Sequence, residues 1–281
     1  MAFLGDSYLT KIDRYELKYV IPVEMVEPMS AFLSAYCVYD KHSEHAENRF
    51  YQVNSLYFDT PNLTFAKNRL YVRSPRFNMR VRAYGDGSAA PYFLEIKHKD
   101  GNSVRKYRAT IGEEEWPAIF TAEDRIAALR HTPSEQANKE LFLRTALKYN
   151  ASPRIFTRYR RRAFVSLLDE YVRVTMDIDL QSHLQDEYNL LADEHRLQNY
   201  DAETVYVKDS DRTQGSGVIL ELKCYPHQVP LWMLDLIRTF ELNRTSFSKY
   251  VASLQSAIAL DPFFIPSMPP IDRNITAFYP Y

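Results

Sequence analysis

Glutamate, one leucine or isoleucine, then lysine occurs three times in this chain, as Glu16-Leu17-Lys18, Glu95-Ile96-Lys97 and Glu221-Leu222-Lys223. In a β-strand, side chains two apart share a face, so each glutamate and its lysine lie together while the apolar residue between them turns away. Neighbouring segments alternate in the same way: Arg14 with Glu16 and Lys18, Arg80 with Arg82, Glu95 with Lys97 and Lys99, and Lys106 with Arg108. Arginine forks and lysine point charges on one face are suited to an anion. A few carboxylates among them are suited to a divalent cation that takes its remaining oxygens from the anion. For one such strand, a solvated face over a buried one is the simpler account. Three copies among arginine-rich strands shift the expectation towards one shared ionic surface.

The elements that must carry these residues are legible from periodicity. Strands are predicted over 15–21, 51–58, 77–84, 92–99 and 104–111, and the last three form an antiparallel meander joined by glycine-bearing turns. A hairpin of 155–168 and 171–180 turns at Asp169-Glu170, and a final strand covers 218–225. The hairpin's first arm offers two possible faces, either Arg158, Arg160 and Arg162 or Tyr159 and Arg161 with Ala163. Its second arm aligns Arg173, Thr175, Asp177 and Asp179 opposite Val172, Val174, Met176 and Ile178. Helices are predicted from Pro22 to about Tyr36 and over 62–70 behind an Asp59 cap. Others follow over 122–149 with a break at Pro133 and a restart at Ser134, then 231–241 and 246–260. Val205-Tyr206-Val207 is a candidate short strand in the polar stretch 186–217.

Composition excludes several classes. The chain has 281 residues with 35 Lys and Arg against 36 Asp and Glu, so an anion site must come from segregated charge. The near-zero net charge also argues against nucleic acid as the partner of Arg158 to Arg162. Two cysteines, Cys37 and Cys224, make no disulfide framework, and the seven histidines show no zinc spacing. There is no P-loop and no dinucleotide glycine fingerprint. No run reaches the roughly 18 apolar residues of a membrane span, and a cytoplasmic location is expected. A single domain over 1–281 is expected, with 262–281 as a proline-rich tail.

Two architectures accommodate the strand faces. An open sheet covered by helices on its apolar side leaves the ionic face in water, where each pair contributes about 0–1 kcal/mol. A sheet closed into a barrel of about eight strands lines a slim lumen with the charges.

The segments SLYFDT at 55–60, NRL at 68–70, RVRAYG at 80–85, FLEIK at 93–97, YRRRAF at 159–164, YVRVTMD at 171–177, LELK at 220–223 and SFSK at 246–249 run collinearly through the chain. In this the chain resembles the catalytic domain of the vacuolar transporter chaperone (VTC) polyphosphate polymerases. Those belong to the CYTH, or triphosphate tunnel metalloenzyme, superfamily. The resemblance implies an α+β fold whose closed antiparallel β-barrel forms a tunnel with a basic lumen and helices packed outside. It implies phosphate ligands at Lys18, Arg69, Arg80, Arg82, Lys97, Lys106, Arg161, Arg173, Ser248 and Lys249, with Arg14 and Lys223 beside them. Tyr159 matches a tyrosine at the terminal phosphate, and Glu221 falls on the metal-holding glutamate. Glu16 and Glu95 are further carboxylates, as metal ligands or as partners that hold the basic residues in place. Two departures stand out: Arg14 replaces the first glutamate of the E-x-E-x-K motif, and Ser246 replaces a basic residue.

The activity implied is transfer of the terminal phosphate of ATP to a polyphosphate chain, with Mn2+ or Mg2+, and a membrane partner is compatible with it. The alternatives are a metal-dependent tripolyphosphatase or nucleoside triphosphatase, and a non-catalytic polyphosphate binder.

Overall fold

A computed structural model describes residues 15–71, 76–85, 90–100, 103–120, 132–169, 171–200, 217–226 and 228–260. Arg14, the 122–131 part of the predicted 122–149 helix, the candidate strand Val205-Tyr206-Val207, His227 and the proline-rich tail lie outside these residues. Among the described residues the strands are β1 (Tyr15–Pro22), β2 (Cys37–Tyr39), β3 (Tyr51–Asp59), β4 (Arg76–Tyr84), β5 (Tyr92–Asp100), β6 (Ser103–Ile111), β7 (Ser152–Ser166), β8 (Arg173–Leu184), β9 (Gln198–Asn199) and β10 (Gly217–Cys224). The α-helices are few: α1 (Val26–Leu33), α2 (Thr64–Leu70), α3 (Pro133–Tyr149), α4 (Leu231–Thr239) and α5 (Lys249–Leu260).

The strands form one antiparallel sheet in the order β1-β10-β8-β7-β3-β4-β5-β6, with β2 on β7 and β9 on β8. Its path has two ends, so the closed barrel expected above is corrected to an open sheet. Some backbone groups of each end strand are taken locally. Beyond β1, Thr245 N donates to Lys18 O at 2.8 Å, and Arg244 bridges to Tyr19. On β6, Asn138 Nδ2 of α3 donates to Arg108 O at 2.9 Å, while Arg105 and Lys106 keep that strand charged and exposed. Covered or charged edges are the usual alternative to closure.

The described chain divides into two compact units, one comprising 54–156 with 184–192 and the other 15–53, 157–183 and 193–260. In the first, the odd-numbered residues Met79 and Val81 of β4 join Ala109 and Ile111 of β6 and the even-numbered Leu94 and Ile96 of β5 in a buried face. The helices pack there: Phe65 of α2 meets Phe77 of β4 at 5.8 Å and Tyr149 of α3 at 5.3 Å. Asp59 anchors α2 by accepting from Thr60 N, Phe65 N and Ala66 N at 2.7–2.9 Å. The helix therefore starts at Thr64, after Leu63 in a left-handed turn, two residues later than predicted. A capping box of Thr132 and Glu135, with Pro133 in the first turn, starts α3.

In the second unit, Leu17, Tyr19 and Ile21 of β1 join Val218, Leu220 and Leu222 of β10 and Val174 and Met176 of β8. Val26, Met29 and Leu33 of α1 and Trp232, Met233 and Leu236 of α4 cover that face. Cys37 and Cys224 are buried, reduced members of the same core, and burial pushes the Cys37 thiol up to about 12. One predicted alignment is corrected here. Asp179 has φ +52°, and it pairs with Arg160 while Asp177 pairs with Arg161. Adjacent residues of β7 face opposite ways, so the two aspartates do too; a local break of alternation at Asp179 turns it away.

Candidate functional site

Each unit carries its own cluster on the ionic side of its strands. In the first unit the register sets Arg80, Glu95 and Arg108 in one row and Asn78, Lys97 and Lys106 in the next. Glu95 is the hub and is 2 % exposed. Arg80 reaches one of its oxygens through Nε at 2.8 Å and Nη2 at 2.7 Å, and Lys106 Nζ reaches the other at 2.7 Å. Arg108 Nε stands at 3.6 Å and Arg82 Nη1 at 3.9 Å. Burial alone would raise the Glu95 pKa, but Arg80, Arg82, Lys106 and Arg108 outweigh it and hold the carboxyl well below its usual range. Four cations therefore gather around one permanently charged carboxylate.

Neutral groups orient the arginines. Arg80 Nη1 donates to Tyr57 Oη at 3.0 Å, and Arg82 donates to Ser55 Oγ at 3.3 Å and towards Tyr84 Oη at 3.5 Å. The Arg108 guanidinium lies 3.8 Å from the Phe93 ring centre. Lys97 and Lys106 are directly opposite across β5 and β6, an arrangement of like charges that favours an anion between them.

In the second unit three strands align their ionic side in rows: Glu16, Lys223 and Arg173; then Lys18, Glu221 and Thr175; then Val20, Ile219 and Asp177. Arg161 grips Asp177 with two hydrogen bonds, Nε to Oδ1 at 2.7 Å and Nη2 to Oδ2 at 2.9 Å. Lys249, the first residue of α5, meets Asp177 Oδ2 at 2.5 Å. Burial would raise the Asp177 pKa, but Arg161 and Lys249 hold it far below the usual carboxylate range. Both cations also sit over the buried Tyr159 ring, at 5.4 Å and 4.7 Å from its centre. Of the two predicted faces of this strand, the structure thus sets Tyr159 and Arg161 with Asp177. Arg158 and Arg160 pair elsewhere, with Glu194 and Asp179.

Lys18 Nζ donates to Phe247 O at 2.8 Å, which ties β1 to the segment leading into α5. Ser248 precedes that helix, and its Oγ lies 3.5 Å from Val251 N. Lys223 pairs with Glu221 at 3.2 Å, and Arg173 is exposed directly opposite Lys223. Arg69 sits in the last turn of α2, outside the strand rows.

Among the described residues no group of three or more His, Cys, Asp or Glu could hold a metal ion. Glu16 and Glu221 nevertheless share a face as diagonal neighbours on β1 and β10. Two carboxylates completed by phosphate oxygens are a donor set that suits magnesium or manganese. Glu95, enclosed by cations, does not suit that role.

The role of Asp177 as a hub, and those of Tyr57, Ser55, Tyr84 and Arg108, were not among the predicted site residues. Alternation alone places Tyr84 beside Arg82 and Arg108 beside Lys106. Tyr57 and Ser55 belong to β3, whose residues from Val53 to Asp59 are all buried and carry no alternating signal.

Compared with known proteins, residues 13–258 match the sequence profile of the VTC domain family. Vacuolar transporter chaperone complex subunit 4 of Schizosaccharomyces pombe is 24 % identical over 243 residues, covering 77 % of this chain and 34 % of that protein. The chain thus spans about a third of the length of the curated relative it matches. Among solved structures, a candidate adenylate cyclase of Bacillus halodurans gives a TM-score of 0.44 at 12 % identity, covering 84 % of this chain and 96 % of that one. A Pyrococcus horikoshii OT3 protein gives 0.40 at 10 % identity, covering 86 % and 99 %.

Proposed function

This chain belongs to the VTC domain family, and we propose that it is a polyphosphate polymerase that moves the terminal phosphoryl group of ATP onto an inorganic polyphosphate chain. The observation that carries this reading is that, in each unit taken by itself, the cations on the ionic side of the strands outnumber the carboxylate that fixes them, Glu95 in one and Asp177 in the other. In the reaction a terminal oxygen of the chain attacks the γ-phosphorus, the bond to the β–γ bridging oxygen breaks, and ADP leaves with that electron pair. Such a transfer needs little covalent participation by the protein; it needs alignment and charge neutralisation. Arg80, Arg82, Arg161 and Arg173 supply planar forks for phosphoryl oxygens, and Lys18, Lys97, Lys106, Lys223 and Lys249 supply point charges. Glu95 and Asp177 keep the nearest cations extended, so that less is lost in ordering them when the anion arrives.

A bound divalent ion, held by Glu221 with Glu16 beside it, would neutralise charge on bridging phosphate oxygens. The Arg14 departure leaves fewer carboxylates than E-x-E-x-K would, which supports one ion and transfer rather than hydrolysis. Among the described residues no helix is long and apolar enough to cross a membrane. A cytoplasmic location, where the chain would meet ATP, fits this reading, and a membrane partner is compatible with it.

The test is turnover of ATP with Mn2+ by the wild type and by Glu221→Gln, following ADP, polymer and free phosphate. Polymer in the wild type and its loss in the variant, with the melting temperature retained, are expected. Free phosphate without polymer would establish the hydrolase instead.

A further inference from the structure

Tyr84 is the last residue of β4, two beyond Arg82 and hence on the same ionic side. Its ring packs edge-on against Phe93 of β5 at 5.4 Å, and its hydroxyl oxygen accepts from Arg82 Nη1 at 3.5 Å. Among the described residues, the charged groups that act on it include Arg82 from β4, Glu95 from β5 and Arg108 from β6, and Arg80 and Lys106 are held on the same Glu95. A phenol beside so cation-rich a cluster is an acid whose conjugate base is welcome there. We propose that Tyr84 is a proton-exchanging member of this phosphate site: a phenolate when the site is empty, and a phenol donating to a phosphoryl oxygen when the site is filled.

Burial raises the Tyr84 pKa, but the charges of Arg82 and Arg108 and the Arg82 hydrogen bond outweigh it and lower the value to about 7. Glu95 opposes that lowering. An arriving phosphate group brings several negative charges to the same cations, which removes the cause of the lowering and returns the proton. The sign follows directly. Below pH 7 Tyr84 already holds its proton and binding exchanges none there. Above pH 7 each binding event takes up one, so affinity falls by up to tenfold per pH unit through this group. Lys106, pushed down to about 8 chiefly by burial and further by Arg80 and Arg82 against the pull of Glu95, also gains a proton on binding. Proton counting alone therefore does not isolate Tyr84, whereas the ultraviolet band of tyrosinate does.

The inference rests on the phosphate-site reading of the Glu95 cluster, and the experiment separates the two. The full chain is titrated from pH 5 to pH 9 with and without tripolyphosphate, following tyrosinate absorbance in the wild type and Tyr84→Phe, with binding measured by calorimetry. The wild type should show one tyrosine ionising near pH 7. That ionisation should be missing from Tyr84→Phe and should move up by at least one pH unit when tripolyphosphate is bound. Calorimetry in two buffers should show roughly half a proton or more fewer taken up by Tyr84→Phe at pH 8. No tyrosine ionising below about pH 9 in the wild type, or the same ionisation in both proteins, overturns the inference. Tripolyphosphate binding that leaves the band unmoved overturns it while sparing the phosphate site. Failure of tripolyphosphate to bind the wild type overturns both.

Discussion

Replacing Glu95 with glutamine removes the charge but keeps the shape of the carboxylate that gathers Arg80, Arg82, Lys106 and Arg108. At an effective dielectric of about 20, one unit-charge pair at 4 Å is worth about 4 kcal/mol. All four cations stand within 4 Å of Glu95, Arg80 and Lys106 within 3 Å, so the gross attraction exceeds the desolvation of a 2 %-exposed carboxylate. Removing one partner from a buried ion pair costs about 3–5 kcal/mol. For a chain of this size that is a fall in Tm of roughly 10 °C, read by thermal and urea unfolding at pH 7. The pH dependence carries a definite sign. The folded carboxyl is held far below its unfolded pKa of about 4.3, so its contribution is present above that pH and is lost as pH falls towards the folded value. The wild-type and Glu95→Gln curves should therefore converge in strong acid. Tripolyphosphate at a hundred times its Kd stabilises by about 2.7 kcal/mol, and the effect should be larger in Glu95→Gln, whose cations have lost their resident anion. A loss below about 1 kcal/mol at pH 7, or a loss as large in strong acid as at pH 7, would refute the hub assignment.

Other perturbations probe single features. Asp177→Asn separates Arg161 and Lys249 from a fully buried partner and should lower stability by about 3 kcal/mol, with the difference again fading in strong acid because the native pKa is depressed. Thr175 Oγ1 is buried with no hydrogen-bond partner among the described residues, so Thr175→Val should leave stability unchanged or raise it by about 1 kcal/mol; a clear drop in Tm would show that the hydroxyl is satisfied. Lys139, fully buried, pairs with Glu115 at 2.8 Å. Lys139→Met alone should cost about 3–5 kcal/mol, and Lys139→Met with Glu115→Leu markedly less, measured as a double-mutant cycle in urea.

Alternation was the part of this fold most legible in the sequence, because a period of two needs no tertiary information. Glu16 with Lys18, Arg80 with Arg82, and Arg173 with Asp177 fall on the ionic sides that their spacing implies. Asp179 escaped because one residue with positive φ reverses the face, and nothing in its neighbours announces that. Closure was misjudged for a different reason. Whether two edge strands pair depends on what else can take their backbone groups, and here Thr245 and Asn138, from other parts of the sequence, each take one carbonyl, Lys18 O and Arg108 O. The hub role of Asp177 was hidden among aligned acidic residues, since only the meeting of Arg161 with Lys249 of α5 singles it out. Tyr57 orients Arg80 from a strand with no polar periodicity to draw attention to it.

The central claim is that phosphate leaves ATP for a chain rather than for water. It is tested most directly by giving the protein ATP labelled in its terminal phosphate, with Mn2+, and partitioning the label as ADP forms. The account expects about one labelled phosphate in polymer for each ADP released, with little free phosphate. Label recovered as free phosphate in step with ADP would contradict it.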